Sequence, residues 1–542
     1  MSHGIIPIGK VWRNHRMGLG MKRLFHGAFV LAVAGLISKV LSAGYRVPFQ
    51  NIVGDKGFYI YQQVYPFLGI AASLALYGIP AAVSRLVADR YRSTSPSLRS
   101  FYLPIGIFLL GLAVITFALM YMLAPQIAGL MGDTALEKPL QAAAFIFLAV
   151  PFTSILRGVY QGKQNMTPTA VSQVVEQLVR VGLILAVTFL LVRSGSDLYD
   201  IGAKAALASL VGACFGIVVL CLYMRKEPII SSVEQSLPWG YIIKTILVYG
   251  LFICLNYMLL LLLQFADAFT LVSGLLDHGL SLDEAREWKG IYDRGQPLVQ
   301  LGIVVGSSLA LAFVPSITKN QLISEKTAVV HLLHSGWKLS FLLSIAATAG
   351  LVTLFPLVNE LLFKDDVGTY SLQVFTLTIF VCSLTLTTAS MLETLGKWKQ
   401  TAAIIAAGFL LKWFLNEWLV PIYGIMGASL ATVITVACIL ACNMYLLKRY
   451  LPEIKLFQLP WKSLFVGLLS MLVAVGLLYV AAVELFHVKT RILLLGYVLF
   501  AVIVGALLYG ITLIKTGAFN RVELESLPFS KHLPRLEGRK EK

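Results

Sequence analysis

A chain of 542 residues with 58% hydrophobic and only 13% charged residues is not an ordinary soluble enzyme, which carries roughly 25% charged residues. Its mean hydropathy of +0.80 says the same. The net charge of +17 points to a nucleic-acid partner only if the Lys and Arg residues form one solvated face. They lie instead between apolar runs.

Those runs approach the roughly 20 residues needed to cross a bilayer and recur from end to end. They predict an all-α polytopic membrane protein with fourteen spans, at 25–47, 65–88, 101–124, 139–160, 169–192, 201–223, 241–265, 298–318, 337–357, 370–392, 400–421, 424–447, 462–483 and 491–514. The second is the weakest, because its start is rich in Tyr, Gln and Gly. The longest link, Ala266 to Pro297, leaves no room for a soluble domain. Outside the spans, Lys and Arg on the side of the two tails outnumber those on the other by roughly three to one, which predicts that both termini are cytoplasmic. The basic residues thus set topology and meet anionic lipid, and nucleic acid is not expected as a partner. The first 24 residues are a basic tail without a signal-peptide core, and Met21 before Lys22 and Arg23 offers an alternative start. All six cysteines fall within spans and none forms a C-x-x-C pair, so neither disulfides nor a metal site is expected.

Charges inside the spans mark candidate sites, because a Lys or Arg at mid-bilayer costs roughly 2.5–3.5 kcal/mol on insertion scales. Span one carries Lys39 and Arg46 two turns apart on nearly the same face, about 10 Å along the axis, with Ser42 between them. No acid shares that helix. The pattern reads as an anion-binding wall, with snorkelling to headgroups as the competing reading for Arg46. Span five, "SQVVEQLVRVGLILAVTF", puts Gln173, Glu176, Gln177 and Arg180 on one face. Glu176 and Arg180, four apart, are expected to neutralise each other and hold the lobe together, with substrate contact by Arg180 the second choice. Asp267 is expected to end span seven, and Arg294 to stand at the mouth of span eight, where Gly295 and Pro297 fix the backbone. Lys412 in span eleven has Asn416 and Glu417 near it and is read as structural.

A faint repeat suggests two lobes. Gly162-Lys163 opens into "QNMTPTAVSQ" before span five, and Gly396-Lys397 into "WKQTAAIIAA" before span eleven. The organisation expected is a tail (1–24), an N-terminal lobe (25–223), a C-terminal lobe (241–447), two extra spans (462–514) and a basic tail (515–542). Paired repeats flanking a midplane site are the plan of secondary transporters. No Walker A, G-x-S-x-G or H-E-x-x-H motif is present, so an enzyme is not expected, and no cofactor.

"ISKVLSAGYRVPFQ", "GIPAAVSRLVADR", "GVYQGKQNMTPTAVSQVVEQLVR", "YDRGQPLVQLG" and "VPSI" resemble the lipid II flippase and stage V sporulation protein B family, in its Gram-positive branch. That family belongs to the multidrug/oligosaccharidyl-lipid/polysaccharide exporter superfamily, and the likeness runs over about residues 25–514. The resemblance implies two lobes around a cationic cavity that opens alternately to either side of a bacterial plasma membrane. It implies an undecaprenyl-pyrophosphate-linked glycan as substrate, carried to the outer leaflet for peptidoglycan or polysaccharide synthesis, in growth or sporulation. Membrane lipids and cell-wall synthesis enzymes would be its neighbours. Family basic residues of spans one and eight map onto Lys39, Arg46 and Arg294. Gram-negative members carry a further basic residue in span two, where "VYPFLGIAASLALYGIP" has none, so the completion of the pyrophosphate clamp is left open. Some members also have a cation site from spans seven, eleven and twelve. It maps onto Asp267, Asn416 and Thr432, but a second carboxylate expected near Val420 is missing. Two other readings stay open: a cation-coupled multidrug exporter, which wants an acidic cavity, and a membrane glycan polymerase, which wants a sizeable external domain.

Overall fold

With no water in the bilayer core, backbone N–H and C=O groups must be satisfied within each segment, so apolar runs of this length fold as helices. The computed structural model describes residues 19–90, 101–225, 238–313, 326–485 and 490–519, and among these there is no strand. The first 18 residues, 520–542 and the "VPSI" stretch lie outside the described residues. Thirteen described helices are long and apolar enough to cross a membrane. They accommodate every predicted span but the eighth, as follows. The continuous 57-residue run Val33–Asp89 carries spans one and two, broken at Gly54, whose φ of +71° only glycine adopts freely. Trp239–Tyr257 and Leu259–Asp277 are separated by Met258 alone, too little chain to reverse direction, so span seven is one kinked helix with a π-turn at Thr245–Gly250. Span eight begins on Gly295–Phe313, and its predicted end lies outside the described residues.

The link expected over Ala266–Pro297 is mostly helix. Span seven runs on to Asp277, and a second helix, Leu282–Asp293, starts from a capping box. The Ser281 N–H donates to the Glu284 carboxylate at 2.8 Å, while Glu284 N–H donates back to Ser281 Oγ at 3.4 Å. Asp267 therefore lies inside span seven, not at its end. Its polarity marks a buried site rather than the membrane surface.

Chain contacts gather Phe25–Ile454 into one unit; a second contains the hairpin of Trp461–Val480 and Arg491–Lys515, where Gly467 meets Tyr509 and Gly505 meets Val475. Within the large unit, span five (Thr167–Arg193) packs on span six (Leu198–Met224), as span eleven (Trp398–Tyr423) packs on span twelve (Ile425–Tyr450). The repeated turns before spans five and eleven each contain a left-handed residue, Gln164 (φ 60°) and Gly396 (φ 78°). Spans two and seven pack along their length: Gln63 donates to the Ala268 carbonyl at 3.1 Å, and a Cβ on Gly78 would lie 2.7 Å from the Gly250 carbonyl. These glycines let two backbones touch.

Candidate functional site

Span one delivers Arg46 into a cage of tyrosines. Its guanidinium sits 4.1 Å from the Tyr65 ring centroid and is 1% exposed, and among the described residues none of its three nitrogens has a hydrogen-bond partner. Arg180 arrives at the same rings from span five, 5.7 Å from Tyr65 and 6.0 Å from Tyr45. Its Nη2 donates to the Tyr61 hydroxyl at 3.1 Å, and its Nε has no partner among the described residues. The Tyr45 and Tyr61 hydroxyls join at 2.8 Å, and Ser42 lies beside Tyr65. Among the described residues no carboxylate pairs with either arginine. Asp293, close enough to feel Arg46, is itself held by Lys289 at 2.5 Å. Burying a charge costs several kcal/mol, of which a desolvated cation–π contact returns about 2 kcal/mol or somewhat more. Two such cations side by side favour an anion between them.

Lys39 is exposed, and stands on the side of Cys382 of span ten (Thr378–Thr394). Span one thus turns Arg46 toward the N-terminal tyrosines and Lys39 toward the C-terminal lobe.

Gln173, Glu176, Gln177 and Arg180 are all buried. The partner of Glu176, however, is Arg157 of span four, not Arg180. Arg157 is fully buried; its Nη2 donates to Glu176 at 2.7 Å, its Nε to Ser172 Oγ at 3.2 Å. Gly212 and Gly216 of span six let span five press against it at Glu176, since a Cβ at Gly212 would lie 2.8 Å from the Glu176 carbonyl. With Glu176 so committed, Arg180 is released to the cage. Both side chains border a small cavity with Ala71, Ala75, Thr153 and Ser209.

At the end where spans one and two join, the first half of the large unit is stapled to the second by charge. Arg294 is buried between Asp55 and Asp365: its Nε donates to Asp55 at 2.7 Å and its Nη1 to Asp365 at 2.5 Å. Arg286 grips Asp133 through two bonds of 3.0 and 2.8 Å, and Asp133 also accepts from the Tyr59 and Tyr199 hydroxyls. Asn51 donates to the Leu362 carbonyl at 2.6 Å. Lys56, 3.3 Å from Asp283, holds that carboxyl below the usual carboxylate range. Helix Leu282–Asp293 presses on the seam so closely that a Cβ at Gly290 would lie 2.2 Å from the Asp55 carbonyl. Arg294 is therefore not in one cluster with Lys39 and Arg46 in this state. Two link aspartates reach it because an unpaired buried guanidinium would be costly.

In the C-terminal lobe Asp267, Asn416 and Thr432 do come together, with Lys412 at their centre. Its ammonium donates to the Thr432 hydroxyl at 2.7 Å and the Ala428 carbonyl at 2.9 Å, and lies 2.9 Å from Asp267. Asn416 donates to Asp267 at 2.8 Å. Glu417 instead accepts from Trp413 at 2.7 Å. A further cation does not fit among these residues, because the lysine fills the place.

Residues 24–321 match the family model described as polysaccharide biosynthesis protein. The chain is 38% identical over 532 residues to the uncharacterized membrane protein YabM of Bacillus subtilis, covering 96% of this chain and 98% of that one. The chain belongs to the polysaccharide biosynthesis protein family. Within this family it is 26% identical over 456 residues to the lipid II flippase MurJ of Bacillus subtilis, covering 79% of this chain and 83% of that one. The fold matches a structure titled lipid II flippase MurJ, inward closed conformation, with a TM-score of 0.65 at 15% identity, covering 89% of this chain and 98% of that one.

Membership and these likenesses make the chain a multi-pass membrane protein similar to lipid II flippase and to stage V sporulation protein B, of the transporter or flippase kind found in the exporter superfamily. Against that family background, sequence reasoning missed Arg157 and the tyrosines. Arg157 lies near a span end, where a charge reads as belonging to the link. Tyr61 and Tyr65, four apart on span two, were the legible signal for the cage.

Proposed function

We propose that the chain is a flippase that carries an undecaprenyl-pyrophosphate-linked cell-wall or polysaccharide precursor to the outer leaflet by alternating access. The observation that supports this best is the Arg46–Arg180 cage, two buried guanidiniums that pair with no carboxylate among the described residues. Guanidiniums bind phosphate oxygens through paired, charge-assisted hydrogen bonds. Arg180 then supplies from span five the cation that span two lacks, and a cationic drug would meet like charge.

With the tails cytoplasmic, the end closed by Arg294, Asp55 and Asp365 faces outward. Lys39 would receive the headgroup from the inner side, and Arg46 and Arg180 would hold its pyrophosphate. Opening outward requires Arg294 to leave its two aspartates. A pyrophosphate carries about two negative charges, and each crossing the full field gains about 2.3 kcal/mol per 100 mV with the interior negative. The loaded step therefore runs downhill without ATP.

The test is reconstitution in liposomes with undecaprenyl-pyrophosphate lipids, a neutral isoprenoid and a cationic dye. Pyrophosphate lipids should reach the far leaflet, faster with the interior negative. Export of the dye with pyrophosphate lipids inert would overturn the proposal in favour of the multidrug reading. Lys39→Arg is expected to keep more transport than Lys39→Gln, because a diphosphate entering from water needs charge there more than a fixed fork.

A further inference from the structure

The C-terminal lobe holds an ammonium in surroundings suited to a free cation. Lys412 is 0% exposed, and its three N–H donors face three oxygens: the Ala428 carbonyl, the Thr432 hydroxyl and the Asp267 carboxylate, at 2.7–2.9 Å. These come from spans seven and twelve, while the lysine stem enters from span eleven. A second layer fixes the donors. Asn416 donates to Asp267 and to Thr270 Oγ1, both at 2.8 Å. The Tyr292 hydroxyl lies 3.3 Å from Asp267 and 3.1 Å from Thr432. A carboxylate, a hydroxyl and a backbone carbonyl, oriented by amide and phenol groups, are the oxygen donors that hard cations take. One negative charge among them calls for one positive charge.

We propose that this cage is a monovalent-cation site whose cation is supplied by the chain itself. The tethered ammonium joins spans seven, eleven and twelve, so the lobe needs no sodium or potassium from solution. The cage differs from a simple ion pair in what remains when the lysine is shortened. An ion pair leaves an orphaned carboxylate, whereas this cage leaves a carboxylate already surrounded by fixed oxygen donors. Truncation should therefore convert the position into a site for a small alkali cation. This inference is independent of the substrate, so the transport test and this one can fail separately.

The experiment is thermal unfolding of the full-length protein in detergent, solubilised and kept throughout in lithium, sodium, potassium or choline chloride at equal ionic strength. The parental protein should melt at the same temperature in all four. Lys412→Ala should melt lower in choline and regain several degrees, saturably, with at least one alkali cation. Lys412→Met, whose side chain fills the cage without charge, should melt lower and gain nothing. Asp267→Asn with Lys412→Ala should be indifferent to the salt. Alkali-specific stabilisation of the parental protein would overturn the proposal. So would equal responses of the Ala and Met variants. If Lys412→Ala accumulates poorly, its yield of folded protein across the four salts is read instead, and an equal yield in choline and in every alkali salt counts against the proposal.

Discussion

Exchanging Glu176 with Arg157 should recover most of the folded protein that either single change loses, whereas exchanging Glu176 with Arg180 should not. Arg157 has 0% of its side chain exposed and Glu176 11%, and they meet at 2.7 Å. Removing one partner of such a buried pair leaves an uncompensated charge and costs about 3–5 kcal/mol, a large share of a typical stability of about 5–15 kcal/mol. Arg157→Met and Glu176→Arg should each therefore lose most of the monodisperse peak in fluorescence-detected size-exclusion chromatography. Glu176→Arg with Arg157→Glu should restore it. Arg180→Met orphans no carboxylate, so it should keep the peak and lose transport instead. Rescue by the Glu176–Arg180 exchange would restore the pairing that helical spacing suggests.

Gly290→Val should hold the staple end open and stop transport. Its new carbons would run into the Asp55 carbonyl oxygen and carbon, which a Cβ alone would approach to 2.2 and 2.8 Å. Both are backbone atoms beside the Gly54 break, so no side chain can swing aside. Overpacking costs about 1–3 kcal/mol, and a cost borne by the closed state would shift the open-to-closed ratio by roughly 5–150-fold. A cysteine at Asn51, which bridges to Leu362 across the seam, reports the shift in a background lacking the six native cysteines. Labelling by an impermeant maleimide from outside should rise strongly with Gly290→Val and stay low without it. Unchanged labelling with intact transport would mean that this end does not gate the pathway.

These charges differ in how far they could be read along the chain. Periodicity and composition sufficed for the helices, because each span satisfies its own backbone and its apolar length is local information. Lys39, Arg46, Arg180 and Lys412 were visible because a charge within an apolar run is anomalous wherever it falls. Their partners were not. Arg294 meets Asp55 at a separation of 239 positions, and Asn416 meets Asp267 at 149. Nothing in a local window reveals such a pairing. Local spacing misled for Glu176, where a geometrically allowed partner four residues on lost to Arg157 on another helix. The polar start of predicted span two weakens it as a span for the same reason that it matters: Tyr65 there, with Tyr61 one turn earlier, lines the cage.

The most direct test is binding of a short-chain isoprenyl pyrophosphate to the purified protein, compared with its Arg46→Met and Arg180→Met variants. Charge-assisted hydrogen bonds are worth about 1.5–3 kcal/mol each, so either change should weaken binding by roughly ten- to a hundredfold, with the protein's melting temperature little changed. A neutral isoprenol should bind all three proteins equally weakly. Pyrophosphate binding that is unaffected by loss of both guanidiniums would contradict the assignment of this cage as the headgroup site.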